Sequence, residues 1–154
     1  MPIDWKTIRR IHFVGIKGVA MAALAVWAGE AGYRVSGSDV AEEFPSDEVL
    51  AKAKIKVLPG FDASHIKKTN PDLVIFTGAH EGRENVEVEE AVLRGIPILP
   101  HGRALGDVMG SKRQISVAGS HGKTTTTAMI ATILAHAGFD PSYAAGCGEI
   151  FGLG

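Results

Sequence analysis

The chain has 154 residues, enough for one ordinary domain or for a small domain and part of a second. It is 45% hydrophobic and 21% charged, a balance that is typical of a globular protein and excludes a disordered one. Its 16 Lys and Arg residues against 17 Asp and Glu residues give a net charge of -1, so the composition indicates no nucleic-acid partner.

Short apolar runs alternate with helical stretches from residue 9 to residue 109. Strands are predicted at residues 9–14, 33–37, 56–58, 73–77 and 96–99, and helices at residues 18–30, 47–53 and 85–94. The unbroken apolar run of 73–77 is typical of a parallel strand that is covered on both faces. Strands that alternate with helices form βαβ units, so the sequence predicts an α/β, Rossmann-like parallel sheet with helices on both faces.

A second unit follows the polar residues 110–112. A strand is predicted at residues 114–118, and a helix from Lys123 to about His136. One strand and one helix cannot bury a core of their own. We therefore divide the chain into a first domain, residues 1–109, and the opening of a second α/β domain, residues 113–154. An unpaired strand edge in such a unit offers a route to a homodimer, so monomer and homodimer both stay open.

The strongest motif is the glycine-rich loop between this strand and helix: Gly119, Ser120, His121, Gly122, Lys123, Thr124 and Thr125. Glycines let backbone N–H groups curl around phosphate oxygens, and the helix N-terminus adds partial positive charge. Lys123 can reach the β- and γ-phosphates of ATP, and the Thr124 hydroxyl can ligate Mg²⁺. Val117 replaces the first glycine of the general P-loop pattern, and the alternative is a plain turn with an incidental lysine.

Another glycine loop joins the first strand to the first helix, at Gly15, Ile16, Lys17 and Gly18. A dinucleotide-binding fold places its pyrophosphate at this turn, but Lys17 and Ala20 stand where that fingerprint has its second and third glycines. The loop therefore favours a phosphate-containing ligand without indicating NAD, and a plain turn is the alternative. Asp39 ends the second strand, where its carboxylate can accept hydrogen bonds from ribose hydroxyls or cap the next segment.

These loops together resemble those of the Mur ligase family. Residues 11–16, Gly18, Met21 and residues 35–39 are similar to the opening of the branch that joins L-alanine to UDP-N-acetylmuramate. Residues 117–126 are similar to the ATP loop of the family, which also lacks the first P-loop glycine. The family usually has glycine at positions 17, 20 and 147 and histidine at position 61, where this chain has Lys17, Ala20, Cys147 and Phe61.

The resemblance implies an ATP-dependent ligase of three domains, of which this chain holds the first and the start of the second. The carboxylate of UDP-N-acetylmuramate would take the γ-phosphoryl group of ATP to give an acyl phosphate, from which the amine of L-alanine displaces phosphate. Lys123 and Thr124 would be catalytic, Lys123 by offsetting phosphoryl charge and Thr124 by holding Mg²⁺. We expect the chain by itself to lack ligase activity, because the other metal ligands and the amino-acid pocket would lie beyond residue 154.

The resemblance also implies where the UDP-sugar binds. The implied contacts come from residues that end or follow three strands: Gly15, Ile16, Lys17, Gly18, Ser38, Asp39, Thr77, Ala79 and His80. The diphosphate would lie against residues 15–18 and the uridine near residues 38 and 39. For His80, an exposed loop histidine without a ligand is the alternative.

Three other functions stay open at this point. A murein tripeptide ligase of the same family also tolerates a residue other than glycine at the position of Lys17. An NAD-binding Rossmann oxidoreductase would use the first loop but leave the second unexplained, and a non-catalytic UDP-sugar-binding module would use neither Lys123 nor Thr124 for chemistry. A single cysteine and the lack of an apolar run near the roughly 20 residues that span a bilayer predict a cytoplasmic protein with no membrane partner.

Overall fold

The centre of the fold is a sheet of five parallel strands in the order β3-β2-β1-β4-β5. The computed structural model describes residues 3–110, 113–145, 150 and 152–153. The strands are β1 (Arg10–Val14), β2 (Arg34–Asp39), β3 (Lys56–Pro59), β4 (Leu73–Phe76) and β5 (Ile98–Pro100). Each overlaps a predicted strand, so the predicted Rossmann-like α/β class is confirmed.

Six α-helices accompany the sheet in the described part of the chain: α1 (Val19–Glu30), α2 (Ser46–Lys52), α3 (Ala63–Thr69), α4 (Val86–Leu93), α5 (His101–Met109) and α6 (Lys123–His136). Helices α3 and α5 are absent from the sequence prediction. Helix α3 has only seven residues and is capped by Asp62, whose side chain accepts a hydrogen bond from the Ser64 N–H at 2.7 Å. Gly102 and Gly106 lower the helical signal of α5.

Two apolar layers cover the two faces of the sheet. On one face α1, α2 and α5 pack over β1, β4 and β5, around the fully buried side chain of Phe13. On the other face α3 and α4 pack over Val14, Val74 and Phe76. The same face is polar further along the sheet, because β1 and β2 place His12, Ser36 and Ser38 beneath α3 and α4.

Helix α1 is built to lie close to the sheet at the turn that follows β1. Its buried positions recur at helical spacing and are mostly small: Met21, Ala22, Leu24, Ala25 and Ala28. Small side chains let the helix approach the strands, and the carbonyl of Gly18 accepts the first helical hydrogen bond, from the Ala22 N–H at 2.8 Å. The helix therefore starts directly at the carboxyl end of β1.

The strand predicted at residues 114–118 is wrong, because these residues form no strand in the structure. A strand is stabilised by a neighbouring ladder, and none of the described strands pairs with this segment, where Ile115 is 58% exposed. Helix α6 is confirmed as predicted; Ala131 is its buried residue, and Met129 and Ile133 are more than half exposed. The division into domains at residues 109 and 113 stays a prediction.

Two further sequence expectations concern membranes and Cys147. Over the residues that the structure describes, no helix combines the length and the apolar character needed to cross a bilayer. Cys147 and its neighbour Gly148 lie outside the described residues.

Candidate functional site

The crevice of the sheet opens where the strand order changes direction, between β1 and β4. Chain connections leave this point towards β2 on one side and β5 on the other, so the loops after β1 and β4 diverge. These loops are residues 15–18 and 77–81. They touch at Gly15, which has a φ of +80°, and a Cβ there would overlap the Thr77 Cγ2. The sequence prediction placed its nucleotide site at the same two loops.

The backbone N–H groups of the first loop are already taken by β2. The Ser38 carbonyl accepts hydrogen bonds from Gly15 at 2.9 Å and from Ile16 at 3.1 Å. The Lys17 N–H donates to the Asp39 carboxylate at 2.7 Å. These three amides are therefore not free to bind a phosphate, although the sequence suggested that they would.

The exposed part of this turn lies one step further along the chain. Gly15, Ile16 and Lys17 are buried, whereas Gly18, Val19 and Ala20 are exposed. Residues 19 and 20 begin α1, and the first-turn N–H groups of a helix have no acceptor within it. Partial positive charge is concentrated at the same place, so an anion is best accommodated at the first turn of α1. Of these three exposed residues, only Gly18 was among the predicted contacts.

Lys17 points away from this turn and fastens the segment that follows β2. Its side chain is 9% exposed, and its Nζ donates to the Glu42 carbonyl at 2.7 Å and pairs with Asp47 at 3.2 Å. The same Nζ lies 5.7 Å from the centre of the Phe44 ring. The ammonium group of Lys17 is thus paired within the protein, and its contacts hold residues 42–47 against the first loop.

Ser38 and Asp39 are buried connectors at the end of β2. The Ser38 hydroxyl donates to the Glu87 carboxylate at 2.7 Å. Asp39 is 2% exposed, and its two carboxylate oxygens accept hydrogen bonds from the N–H groups of Lys17 and Val40. This geometry favours the capping interpretation of Asp39, and its contact with a ribose stays a prediction.

His80 reaches back across the crevice from the loop after β4. Its Nε2 lies 3.6 Å from the Asp39 Oδ1, and its ring centre lies 5.1 Å from that of Phe61, which follows β3. Ala79 is exposed beside it, and its N–H donates to the Thr77 hydroxyl at 3.3 Å. The structure therefore brings the predicted residues of the second and fourth strands together, with a partly exposed imidazole above Gly15.

A buried carboxylate that the sequence analysis missed lies beneath the crevice. Glu87 is fully buried in the first turn of α4, and four groups donate to it. One oxygen accepts from the His12 imidazole at 2.8 Å and from the Ser38 hydroxyl. The other accepts from the His65 imidazole at 2.8 Å and from the Asp62 N–H at 3.0 Å. Every lone-pair direction of the carboxylate is thus occupied.

These contacts decide the charge of Glu87. Burial by itself raises the pKa of a carboxyl group, but hydrogen bonds from His12 and Ser38 outweigh it, and the pKa of Glu87 lies below its usual range. Glu87 is therefore ionised at neutral pH.

The other nitrogen of His12 lies 2.9 Å from the Ser36 hydroxyl, which extends the network to a fifth side chain. The sequence did contain a signal for this network. His12 lies in the middle of an apolar strand, and a buried polar side chain is expected to have a hydrogen-bond partner.

The second glycine loop is separate from this network and exposed. Residues 118–123 are all exposed and follow the half-buried Val117, and Gly122, with a φ of +75°, precedes α6. The Lys123 ammonium donates to the carbonyls of Gly119 at 2.7 Å and Ser120 at 3.3 Å. An accessible helix N-terminus with a flexible cation beside it fits a polyphosphate. Among the described residues no group of three or more His, Cys, Asp and Glu side chains could hold a metal, so Thr124 would be one ligand among others supplied from elsewhere.

Comparison with known proteins identifies the family. The profile described as "Mur ligase family, catalytic domain" matches residues 10–113. The UDP-N-acetylmuramate–L-alanine ligase of Treponema pallidum (strain Nichols) is 44% identical over 146 residues, which cover 95% of this chain and 30% of that protein. The ligase of the same name from Desulfitobacterium hafniense (strain Y51) is 46% identical over 137 residues, covering 88% and 30%.

Solved structures agree with the sequence relatives. The UDP-N-acetylmuramate:L-alanyl-γ-D-glutamyl-meso-diaminopimelate ligase from Neisseria meningitidis superimposes with a TM-score of 0.84 at 35% identity, over 95% of this chain and 45% of that one. The UDP-N-acetylmuramate–alanine ligase MurC from Thermotoga maritima gives 0.76 at 36% identity, over 84% and 30%. The chain spans about 30% of the length of the curated relatives it matches. With a profile match across most of its length, the chain belongs to the Mur ligase family.

Proposed function

We propose that this chain supplies the UDP-sugar-binding domain and the ATP phosphate loop of a cytoplasmic ligase that joins L-alanine to UDP-N-acetylmuramate, using ATP and Mg²⁺. The observation that carries the proposal is the presence of two separate anion-binding helix starts, at α1 and at α6, in one chain. A nicotinamide oxidoreductase needs only the first of them. The names of the sequence relatives supply the substrates. The predicted division into domains would separate the UDP-sugar site from the ATP loop.

The first turn of α1 would bind the diphosphate of the UDP-sugar. Gly18, Val19 and Ala20 are its exposed residues, and no acidic side chain stands in the first turn of the helix. The Asp39 carboxylate, which would repel a phosphate, is buried and held by two backbone N–H groups. His80 stands above Gly15 and can donate a hydrogen bond from its imidazole to an anion that lies there.

The loop before α6 would bind the phosphates of ATP. Mg²⁺ bound in such a site would offset the negative charge of the phosphates. Lys123 would exchange its two carbonyl contacts for phosphate oxygens, and its ammonium would offset charge on the transferred phosphoryl group. The Thr124 hydroxyl lies in the first turn of α6, where a metal ligand next to the phosphates is needed.

A pair of substitutions at Ala20 tests the UDP-sugar site. Ala20→Asp places a negative charge in the first turn of α1, which is neutral or favourable for the helix but repels a diphosphate. We expect the affinity for UDP-N-acetylmuramate to fall at least about tenfold in calorimetric titration. Ala20→Asn has nearly the same shape without the charge and is expected to keep an affinity within about threefold of the original.

The same titration separates the competing functions. Binding of the UDP-sugar, with NADH as a silent control, supports the ligase. Binding of NADH alone would move the chain to the oxidoreductases. Equal affinities of the Asp and Asn variants would contradict the placement of the diphosphate at α1. The conclusion that the chain binds the UDP-sugar would still stand.

Substitution of Lys123 tests the ATP loop. In a full-length ligase that carries this chain, Lys123→Met is expected to lower kcat by about a thousandfold, because the phosphoryl charge loses its nearest cation. The rate is measured as ADP release in the presence of both substrates. The calorimetric affinity for UDP-N-acetylmuramate should not change, since Lys123 belongs to the loop before α6 and is not among the residues of the proposed UDP-sugar site. A ligase rate within about tenfold of the original would remove Lys123 from the mechanism.

A tripeptide ligase of the same family is the second candidate. The Neisseria structure, which is named for a tripeptide substrate, superimposes over 95% of this chain with a TM-score of 0.84. The two candidates share UDP-N-acetylmuramate and differ in the amine that is added. Turnover of the full-length ligase with L-alanine and, separately, with L-alanyl-γ-D-glutamyl-meso-diaminopimelate decides between them.

A further inference from the structure

We propose that Glu87 is a positioning residue for the nucleotide crevice: its carboxylate fixes the end of β2 and the loop that follows β3, and through the end of β2 it fixes the turn that starts α1. The inference rests on the proposed function only for the identity of the ligand. It concerns a residue far along the chain from the glycine loops, at the start of a helix on the opposite face of the sheet from α1.

The link from Glu87 to the first turn passes through one serine. The Ser38 hydroxyl donates to Glu87 at 2.7 Å, and the carbonyl of the same residue accepts the N–H groups of Gly15 and Ile16. A shift of Ser38 therefore moves both hydrogen bonds that hold the turn. Since that turn places Gly18 and the start of α1, the position of the exposed amides depends on Ser38, and the position of Ser38 depends on Glu87.

Two further loops are tied to the same helix start. The Asp62 N–H donates to Glu87 at 3.0 Å, which holds the segment after β3, where Phe61 contacts His80. Asn85 caps α4 by accepting the Glu87 N–H at 3.0 Å, and its amide donates to the His80 carbonyl at 3.1 Å. The start of α4 thus holds the end of β2 and the loops after β3 and β4, and all three border the crevice.

The histidines of the network complete the burial of the charge. His12 and His65 each donate to a different oxygen of Glu87, and neither side chain is more than 9% exposed. A carboxylate with four donors has a defined orientation, because any rotation breaks at least two hydrogen bonds. This rigidity is what a positioning residue requires, and an apolar side chain at position 87 would not supply it.

A matched pair of serine variants tests the proposal on the complete chain. Ser36 and Ser38 lie two residues apart on the same face of β2, and each hydroxyl belongs to the network, but only Ser38 also holds the first turn. Amide hydrogen exchange is followed by NMR for Ser38→Ala and Ser36→Ala. We expect Ser38→Ala to speed exchange of the Gly15 and Ile16 amides about tenfold relative to amides of β4, and Ser36→Ala to leave that ratio unchanged.

Binding supplies the second readout. Ser38→Ala is expected to weaken binding of UDP-N-acetylmuramate about tenfold, and Ser36→Ala less than about twofold. Equal effects of the two variants on the Gly15 and Ile16 amides, or a uniform rise in exchange across the sheet, would overturn the positioning role. If the unaltered chain binds no UDP-sugar, the proposed function fails, and the exchange ratio still decides the role of Glu87.

Discussion

Replacing Glu87 with glutamine is expected to lower the free energy of unfolding by about 3 kcal/mol. Glutamine keeps the volume of the side chain but turns one acceptor oxygen into a donor NH₂ group. That group then faces two of the four donors that surround Glu87, and either His12 and Ser38 or His65 and Asp62 lose their acceptor. Buried donors without a partner carry their full desolvation cost. Chemical denaturation of both proteins at neutral pH measures the difference.

Glu89→Gln is the control for this change, because Glu89 lies in the same first turn of α4 and is outside the Glu87 network. Its effect on the free energy of unfolding should stay within about 0.5 kcal/mol.

The pH dependence of stability follows from the lowered pKa of Glu87. The folded-state pKa of Glu87 lies below the unfolded value of 4.5, so its stabilisation is complete above that pH and is lost as the pH falls through the lower folded pKa. The difference in stability between the original protein and the Glu87→Gln variant should therefore shrink in acid, and a constant difference would contradict an ionised Glu87.

Gly37→Ala is expected to lower the free energy of unfolding by about 3 kcal/mol as well, for a steric reason. Gly37 lies within β2, and a Cβ built there stands 2.7 Å from the Phe13 carbonyl oxygen and 2.5 Å from the Ile16 Cδ1. The carbonyl belongs to the neighbouring strand and cannot give way without opening the ladder. Ile16 belongs to the turn before α1, so the affinity for UDP-sugar should fall together with stability.

Gly29→Ala is the matched control for Gly37. Gly29 lies inside α1 with nothing near the position of an added Cβ. Alanine is the better helix former, so this change should raise the free energy of unfolding by about 0.5 to 1 kcal/mol. Denaturant titration of both variants gives the comparison. If the two alanines had similar effects, β1 and β2 would have to be less closely packed at Gly37 than the structure indicates.

Most of the sheet could be predicted from the sequence because β1, β3, β4 and β5 contain short apolar runs, and glycine or proline marks the end of β1, β3 and β5. The same rule failed at residues 114–118, where the apolar pattern is present but no described strand offers a ladder. Helix α5 was missed for the opposite reason: Gly102 and Gly106 weaken its local pattern, and Ala104 is held in place by the sheet. A local apolar pattern therefore predicts a strand or helix correctly only where a neighbouring strand or helix is present to pack against it.

The sequence predicted the loops that border the crevice, but it did not predict the contacts within them. Sequence spacing identified the turn at residues 15–18, yet it could not reveal that Ser38 and Asp39 use up the amides of that turn. Such contacts join residues of different strands, and their pairing depends on register. Glu87 escaped notice because a glutamate in the first turn of a helix is ordinarily exposed and interacts with the helix dipole.

The network around Glu87 also has a consequence for the order of folding. Its four partners lie 22, 25, 49 and 75 residues away along the chain, so no hairpin or single βα unit can assemble it. The carboxylate keeps its water until α4 docks on a sheet that already contains β1 and β2. We therefore expect dehydration of this charge to follow assembly of the sheet, and we expect loss of Glu87 to accelerate unfolding more than it slows folding.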